Sequence, residues 1–465
     1  MRTLIKEIIA KQGETVVLEG WVRNRRDHGK LIFIDMKDRS GLVQVVFLPK
    51  PEEVHEQASS LRNEWVIRLT GVVNKRPENM VNNDQEFGAY EIQATGLEVL
   101  NKAEDLPISV DTDGKEISEE VRMKYRALDL RRDRMNDNLR MRAKAINFFR
   151  NYLTDLDFVE IETPVLGKAT PEGARDFLVP SRVYPGKCYA LPQSPQQYTQ
   201  LLMVGGLERY YQIAKCFRDE DTRGDRQPEF TQLDMEMSFV DREAVMGVVE
   251  DMLIKLVETH YPEKRIQQKP FPRITYKDAM EQYGNDRPDM REDKNDPNLL
   301  AFCWVIDFPF FEKDEETGGW TFTHNPFSAP QPEHMEWLMN KENVGDILTT
   351  QYDIVLNGYE IGGGSIRNHR PEALRKVLEI MGFSDEKIQS DYGHMLEAFK
   401  YGAPPHGGIA PGVDRIIMLL QGEPNIREVM AFPKTGDGRD LMMEAPSEFT
   451  ERQLNELQIK VEKKK

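Results

Sequence analysis

The chain has 465 residues, 39% hydrophobic and 30% charged, with a formal net charge of −17. That length exceeds one ordinary core and predicts two or three domains of a soluble globular protein. No apolar run approaches the ~20 residues of a membrane span, and three cysteines (Cys188, Cys216, Cys303) without a CxxC pair exclude a disulfide framework or structural zinc and predict a reducing, cytoplasmic compartment.

The first residues, MRTLIKEIIAKQGE, carry charges through their apolar positions and do not read as a secretory signal. Residues 1–102 then read as five short strands: TVVLEGWV, KLIFIDM, LVQVVF, EWVIRLTGVV and AYEIQATGLEVL. Turns containing Gly and Asp separate the first three, at 27–29 and 38–41. Five strands in such a length predict a small closed barrel, for which the OB-fold is the usual arrangement. The basic residues Arg23, Arg25, Arg26 and Lys30 fall in a predicted loop between the first two strands. Phe33 could offer a stacking face to an unpaired base, or equally fill the barrel core above a solvated basic surface. Further basic clusters lie at Arg131, Arg132, Arg134, Arg140, Arg142 and Lys144, and at Lys463–Lys465. Phosphate is bound by such local patches, so the acidic total predicts a modest, salt-sensitive nucleic-acid affinity.

A linker is predicted over 103–134, followed by a charged amphipathic helix over 133–154. The most informative stretch is 211–239, YQIAKCFRDEDTRGDRQPEFTQLDMEMSF. An apolar run leads into Arg218, Glu220, Arg223 and Arg226, then Phe230 and the alternating Leu233, Met235 and Met237, the pattern of a strand, a charged loop and a returning strand. An arginine, a carboxylate and an aromatic face together suit the phosphates, amino group and ring of an adenine nucleotide. Taken alone, the same residues also fit a hairpin with solvated ion pairs.

The segment resembles motif 2 of the class II aminoacyl-tRNA synthetases. DFVEIETPVL (157–166) looks like their motif 1, and GIAPGVDRIIMLL (408–420) like motif 3. The resemblance implies an α+β chain: an N-terminal OB-fold barrel (1–102) that binds the anticodon, a hinge (103–134) and a class II catalytic domain (135–465) with a central antiparallel sheet flanked by helices. It is closest to the bacterial-type aspartyl enzymes, and implies a ligase that activates L-aspartate with ATP and Mg²⁺ and charges tRNA(Asp). Arg26, His28, Phe33 and Gln44 would face the anticodon, with His28 pointing to tRNA(Asn) as a second substrate. Motif 1, with Pro164 among Val159, Ile161, Val165 and Leu166, implies a homodimer.

By the same resemblance Arg218 and Arg415 are catalytic. Arg218 would hold the α-phosphate and the aspartate carboxylate, Glu220 the adenine amino group, Phe230 the ring and Arg415 the γ-phosphate. Asp219, Gln227, Glu360, Gly412, Val413 and Asp414 complete the ATP site. Asp353 and Glu360, seven residues apart and expected at adjacent strand ends, would bind Mg²⁺; paired carboxylates suit a hard cation. Aspartate would meet Glu172, Ser194, Gln196, Thr199, Arg218, Asp234, His324 and Arg367. The planar guanidinium of Arg367 fits two carboxylate oxygens at once, and 362–364, all glycine, permits close approach of backbone to ligand.

Two departures from the family stand out. The large domain usually inserted between motifs 2 and 3 is absent, replaced by a short connection near 285–303. Where the family carries a lysine in the pocket signature, this chain has Thr199, a lost charge-assisted bond of roughly 1.5–3 kcal/mol. Competing readings are an asparaginyl-type synthetase, an amide-forming relative, and a nucleic-acid-binding relative without charging activity.

Overall fold

The computed structural model describes residues 1–169, 173–314 and 318–462. Strict alternation builds the first unit, Met1–Gly114. Strands β1 (Thr15–His28), β2 (Leu31–Asp38), β3 (Gly41–Phe47), β4 (Val66–Lys75) and β5 (Tyr90–Asn101) close in the order β1-β2-β3-β5-β4. Only β3 and β5 run parallel. Their inward positions, among them Leu18, Ile34, Val45, Leu69 and Ile92, form the barrel core. A short helix (Glu52–Ser59) between β3 and β4, not foreseen in the sequence, packs on it.

The basic residues near position 25 do not form a loop. They lie on β1, which pairs with β2 down to His28↔Leu31, so the turn is only Gly29 and Lys30. Arg23 is buried and spent on Glu64 (2.8 Å) and the Val110 carbonyl (3.0 Å).

The second unit, Lys115–Lys465, is organised by an eight-stranded sheet. Its strands are β6 (Val159–Glu160), β7 (Arg209–Phe217), β8 (Glu229–Ser238), β9 (Arg273–Thr275), β10 (Phe302–Ile306), β11 (Gln351–Leu356), β12 (Tyr359–Ile366) and β13 (His406–Pro411). They lie in the order β9-β10-β11-β12-β13-β8-β7-β6. The centre is antiparallel as expected; both edge pairings are parallel.

Helices of this unit include α1 (Glu119–Lys124), α2 (Asp133–Thr154), α3 (Gln196–Val204), α4 (Arg242–His260) and α5 (Val413–Gln421). Asp241 caps α4 by accepting the Ala244 N–H, and Gly422 ends α5 in the left-handed conformation that a side chain would resist. Alternation on β8 decides the two faces. Leu233, Met235 and Met237 join Phe149 of α2, Val249 and Leu253 of α4, and Ile416 and Ile417 of α5 in one core. Phe230, Gln232, Asp234 and Glu236 are left for the opposite face.

Half of the second basic cluster is turned inward, while Arg140 and Lys144 stay exposed. Arg132, fully buried, pairs with Asp129 (2.7 Å), Arg134 with Glu423 and Glu428, and Arg142 with Asp414 (2.5 Å). Burial forces each cation to find an internal anion. Lys463–Lys465 lie outside the described residues. The short connection near 285–303 closes on itself. Asn285, Asp289, Asp293 and Asp296 each accept a backbone N–H two residues on, and Leu299–Leu300 pairs with Arg265–Ile266.

Candidate active site

The polar face of β8, with β12, β13 and the β7–β8 loop, walls a cavity of about 300 Å³. Of the residues singled out in the sequence, Ser194, Gln196, Arg218, Glu220, Gln227, Phe230, Asp234, His324, Glu360, Arg367, Gly412, Asp414 and Arg415 line it. At one end the Arg218 guanidinium lies 5.1 Å from the Phe230 ring centroid. Glu220 stands 3.8 Å from Arg226. Arg415 donates to the carbonyls of Glu360 (2.7 Å) and Asp225 (3.1 Å) and reaches the Asp225 carboxylate at 3.1 Å. These groups make a charge-rich end of the cavity.

The other end is buried. Arg367, 4% exposed, grips Glu236 through Nε (2.9 Å) and Nη2 (3.1 Å), and its Nη1 donates to Ser365 (3.0 Å). A guanidinium has five N–H donors. Three are spent, and the remaining two sit one on each Nη, available to a further acceptor. Burial pulls its proton affinity down, but Glu236 more than restores it, so the group stays a cation. Among the described residues the Nε2 atoms of Gln196 and Gln227 are buried with no hydrogen-bond partner, and both side chains are on the cavity wall. Buried amides are rarely left so unless a ligand completes them.

The carboxylates of Asp353 and Glu360 converge over Gly363. A Cβ there would lie 3.0 Å from Asp353 Oδ1 and 3.6 Å from Glu360 Oε1, so glycine clears the space between the two acids. Burial, then the neighbouring Glu360 charge, pushes the Asp353 carboxyl well above the usual range. Gln351 donates to it (3.1 Å), and His324 Nε2 lies 3.9 Å away. Like charges brought together in this way favour a cation between them. Two carboxylates so placed could hold a hard cation such as Mg²⁺; no cluster of three or more His, Cys, Asp or Glu occurs among the described residues. Gly364 serves the protein itself: a Cβ would fall 2.2 Å from the Gly408 carbonyl.

Four expected residues do not line the cavity. Thr199 is fully buried and its hydroxyl donates to the Gln196 carbonyl one turn back (3.0 Å), so it offers no bond to a ligand. Asp219 is exposed and backbone-paired with Arg175. Val413 belongs to the core under α5, and Asp353 sits behind the glycines. Asp414 lines the wall, but its carboxylate is committed to Arg142 and the Thr231 N–H (2.7 Å). Glu172 lies outside the described residues. Glu236 was missed. The alternation of 230–236 could have found it, since it shares the face of Asp234.

Against known families, residues 118–436 match the class II tRNA synthetases (D, K and N), and 16–100 match the OB-fold nucleic acid binding domain. The chain belongs to the class II aminoacyl-tRNA synthetases, in the aspartate–tRNA ligase family. It is similar to the aspartate–tRNA(Asp/Asn) ligases of Rubrobacter xylanophilus (41% identical, covering 96% of this chain and 94% of that one) and Chlorobaculum parvum (42%, covering 97% and 94%). The alignment with the first runs over 570 positions, more than the 465 residues here, so that relative carries sequence that this synthetase lacks. Among solved structures, the asparaginyl-tRNA synthetase of Pyrococcus horikoshii bound to asparaginyl-adenylate superposes with a TM-score of 0.75 at 23% identity, covering 94% of this chain and 98% of that one. At that identity the likeness establishes the fold.

Proposed function

We propose that the cavity joins the carboxylate of L-aspartate to the α-phosphate of ATP and then passes the aspartyl group to the 3′ end of tRNA(Asp) and tRNA(Asn). Arg367 carries this reading, because it is a buried cation on the cavity wall that keeps one N–H donor on each Nη for a side-chain carboxylate. Asp234 beside it suits the substrate ammonium. Phe230 and Arg218 would hold the adenine and the α-phosphate, leaving the substrate carboxylate oxygen in line with the phosphorus. The new P–O bond forms as the bond to the bridging oxygen breaks and pyrophosphate leaves; a tRNA ribose hydroxyl then displaces AMP from the adenylate. No side-chain nucleophile is required: orientation and cationic stabilisation lower the barrier. Asp353 and Glu360 would hold Mg²⁺, which when bound neutralises charge on the phosphates.

The tRNA(Asn) activity rests on His28, at the turn of β1 and β2, and on the substrates that the names of the relatives carry. Arg26, Phe33 and Gln44 occupy one outer face of the barrel through the pairs Arg26↔Phe33 and Asp35↔Gln44, which suits stacking and edge contacts with unpaired bases. Val159, Val165 and Leu166 are exposed by 43%, 45% and 53%, an apolar strip suited to a homodimer. No helix among the described residues is long and apolar enough to cross a membrane, and the free cysteines suit the cytoplasm. Aspartate-dependent ATP–pyrophosphate exchange followed by charging of both transcripts tests the reading. Exchange with asparagine alone, or none, would overturn it.

A further inference from the structure

The loop joining β7 to β8 places Glu220, Asp221, Asp225, Arg226 and Gln227 on the cavity wall. Its own closure is slight: Arg223 and Arg226 exchange backbone bonds of 3.1 and 3.3 Å. The firmer ties come from residues 415–436, in and after α5. The Ile426 N–H donates to the Gly224 carbonyl (2.9 Å), the Lys434 N–H to Gln227 Oε1 (2.7 Å), Thr222 Oγ1 to the Gly436 carbonyl, and Arg415 holds Asp225.

As Arg415 ties the loop to β12, Arg427 ties it to α1. Its Nη1 donates to the Arg223 carbonyl at the loop tip (3.2 Å), while its Nε donates to Glu119 Oε1 of α1 (2.6 Å). Its own carbonyl accepts from Arg126 Nη2 (2.8 Å). The adjoining Glu428 is buried and takes Arg122 of α1 in a fork of 2.6 and 3.0 Å, with Arg134 at 2.9 Å. One guanidinium, 13% exposed, therefore spans from an ion-paired anchor to the tip of the nucleotide loop.

We propose that Arg427 is the positioning residue that holds this loop over ATP, with Glu119 fixing the direction of its guanidinium. The inference rests on the cavity being the ATP site. Without Arg427 the loop tip, which contains Gly224, gains backbone freedom, and ATP must order it on binding. The aspartate end, built on β8 and β12, is untouched.

Equilibrium dialysis with ATP and aspartate-dependent exchange on the full chain test this together. Arg427→Ala is expected to weaken ATP binding and raise its KM about ten-fold while the aspartate KM stays within about two-fold. Arg427→Lys, which keeps the charge and one donor, should recover part of the loss. Glu119→Gln, on a partly exposed side chain, should show a smaller effect in the same direction, and answers the question if Arg427→Ala does not fold. Unchanged ATP binding in a folded Arg427→Ala protein, or parallel increases in both KM values, overturns the proposal. ATP binding without aspartate-dependent exchange in the parent protein would refute the amino-acid assignment instead, and the dialysis ratios would still decide the role of Arg427.

Discussion

Replacing Arg367 by leucine removes a cation from the cavity wall, but it also strands Glu236. That carboxylate is 1% exposed and receives two of the three donated bonds. Breaking a buried pair from one side costs about 3–5 kcal/mol, because the remaining charge stays desolvated. Arg367→Leu should therefore lose both aspartate-dependent exchange and stability, and a loss of activity alone would be ambiguous. The double variant Arg367→Leu/Glu236→Leu resolves it. With both charges gone and apolar volume in their place, stability should return to within about 1–2 kcal/mol of the parent, while exchange stays abolished. Urea unfolding followed by the fluorescence of Trp304, fully buried in the sheet, reports the first quantity, and pyrophosphate exchange the second. The reasoning fails if the double variant uses aspartate with near-normal kinetics, or if the single variant is no less stable than the double.

Thr199→Ala should leave the aspartate KM within about two-fold and cost about 1 kcal/mol of stability, because its hydroxyl serves its own helix; exchange kinetics and urea midpoints check both. Burial raises the Glu428 carboxyl, but Arg122, Arg134 and Arg126 more than offset this and bring it down to about 2 from 4.5. A depressed acid stabilises above its unfolded pKa, so roughly 3 kcal/mol should be present above about pH 4.5 and drain away as pH falls towards 2. Unfolding midpoints from pH 5 to 3 should drop steeply in the parent and less in Glu428→Gln. Phe33→Ala should raise the KM for tRNA about ten-fold or more, from the loss of one stacked base, and leave exchange unchanged; equal loss of exchange would contradict the assignment of that face.

Periodicity carried much of this protein's organisation. The five barrel strands, the 133–154 helix and the alternating 230–237 strand follow from patterns of two and 3.6, which act locally and need no partner. Arg218, Phe230, Asp234 and Arg415 were picked out by the resemblance to the family's motifs and not by periodicity, and the fold brings all four to one cavity wall. Position 199 could not be read that way. A threonine one turn into a helix reads alike whether its hydroxyl meets a ligand or its own backbone, and only packing against β8 decided for the backbone. The basic residues of 131–144 read as a nucleic-acid-facing patch because charge is usually exposed. The acids of Arg134 and Arg142, namely Glu423, Glu428 and Asp414, lie some 290 residues away in the chain, so only folding could bring those pairs together. Glu236 and Arg367 are likewise far apart in the chain. Which donors Arg367 keeps for a substrate was settled by the tertiary pairing of β8 and β12 through β13, because a guanidinium's free donors are whatever its neighbours leave.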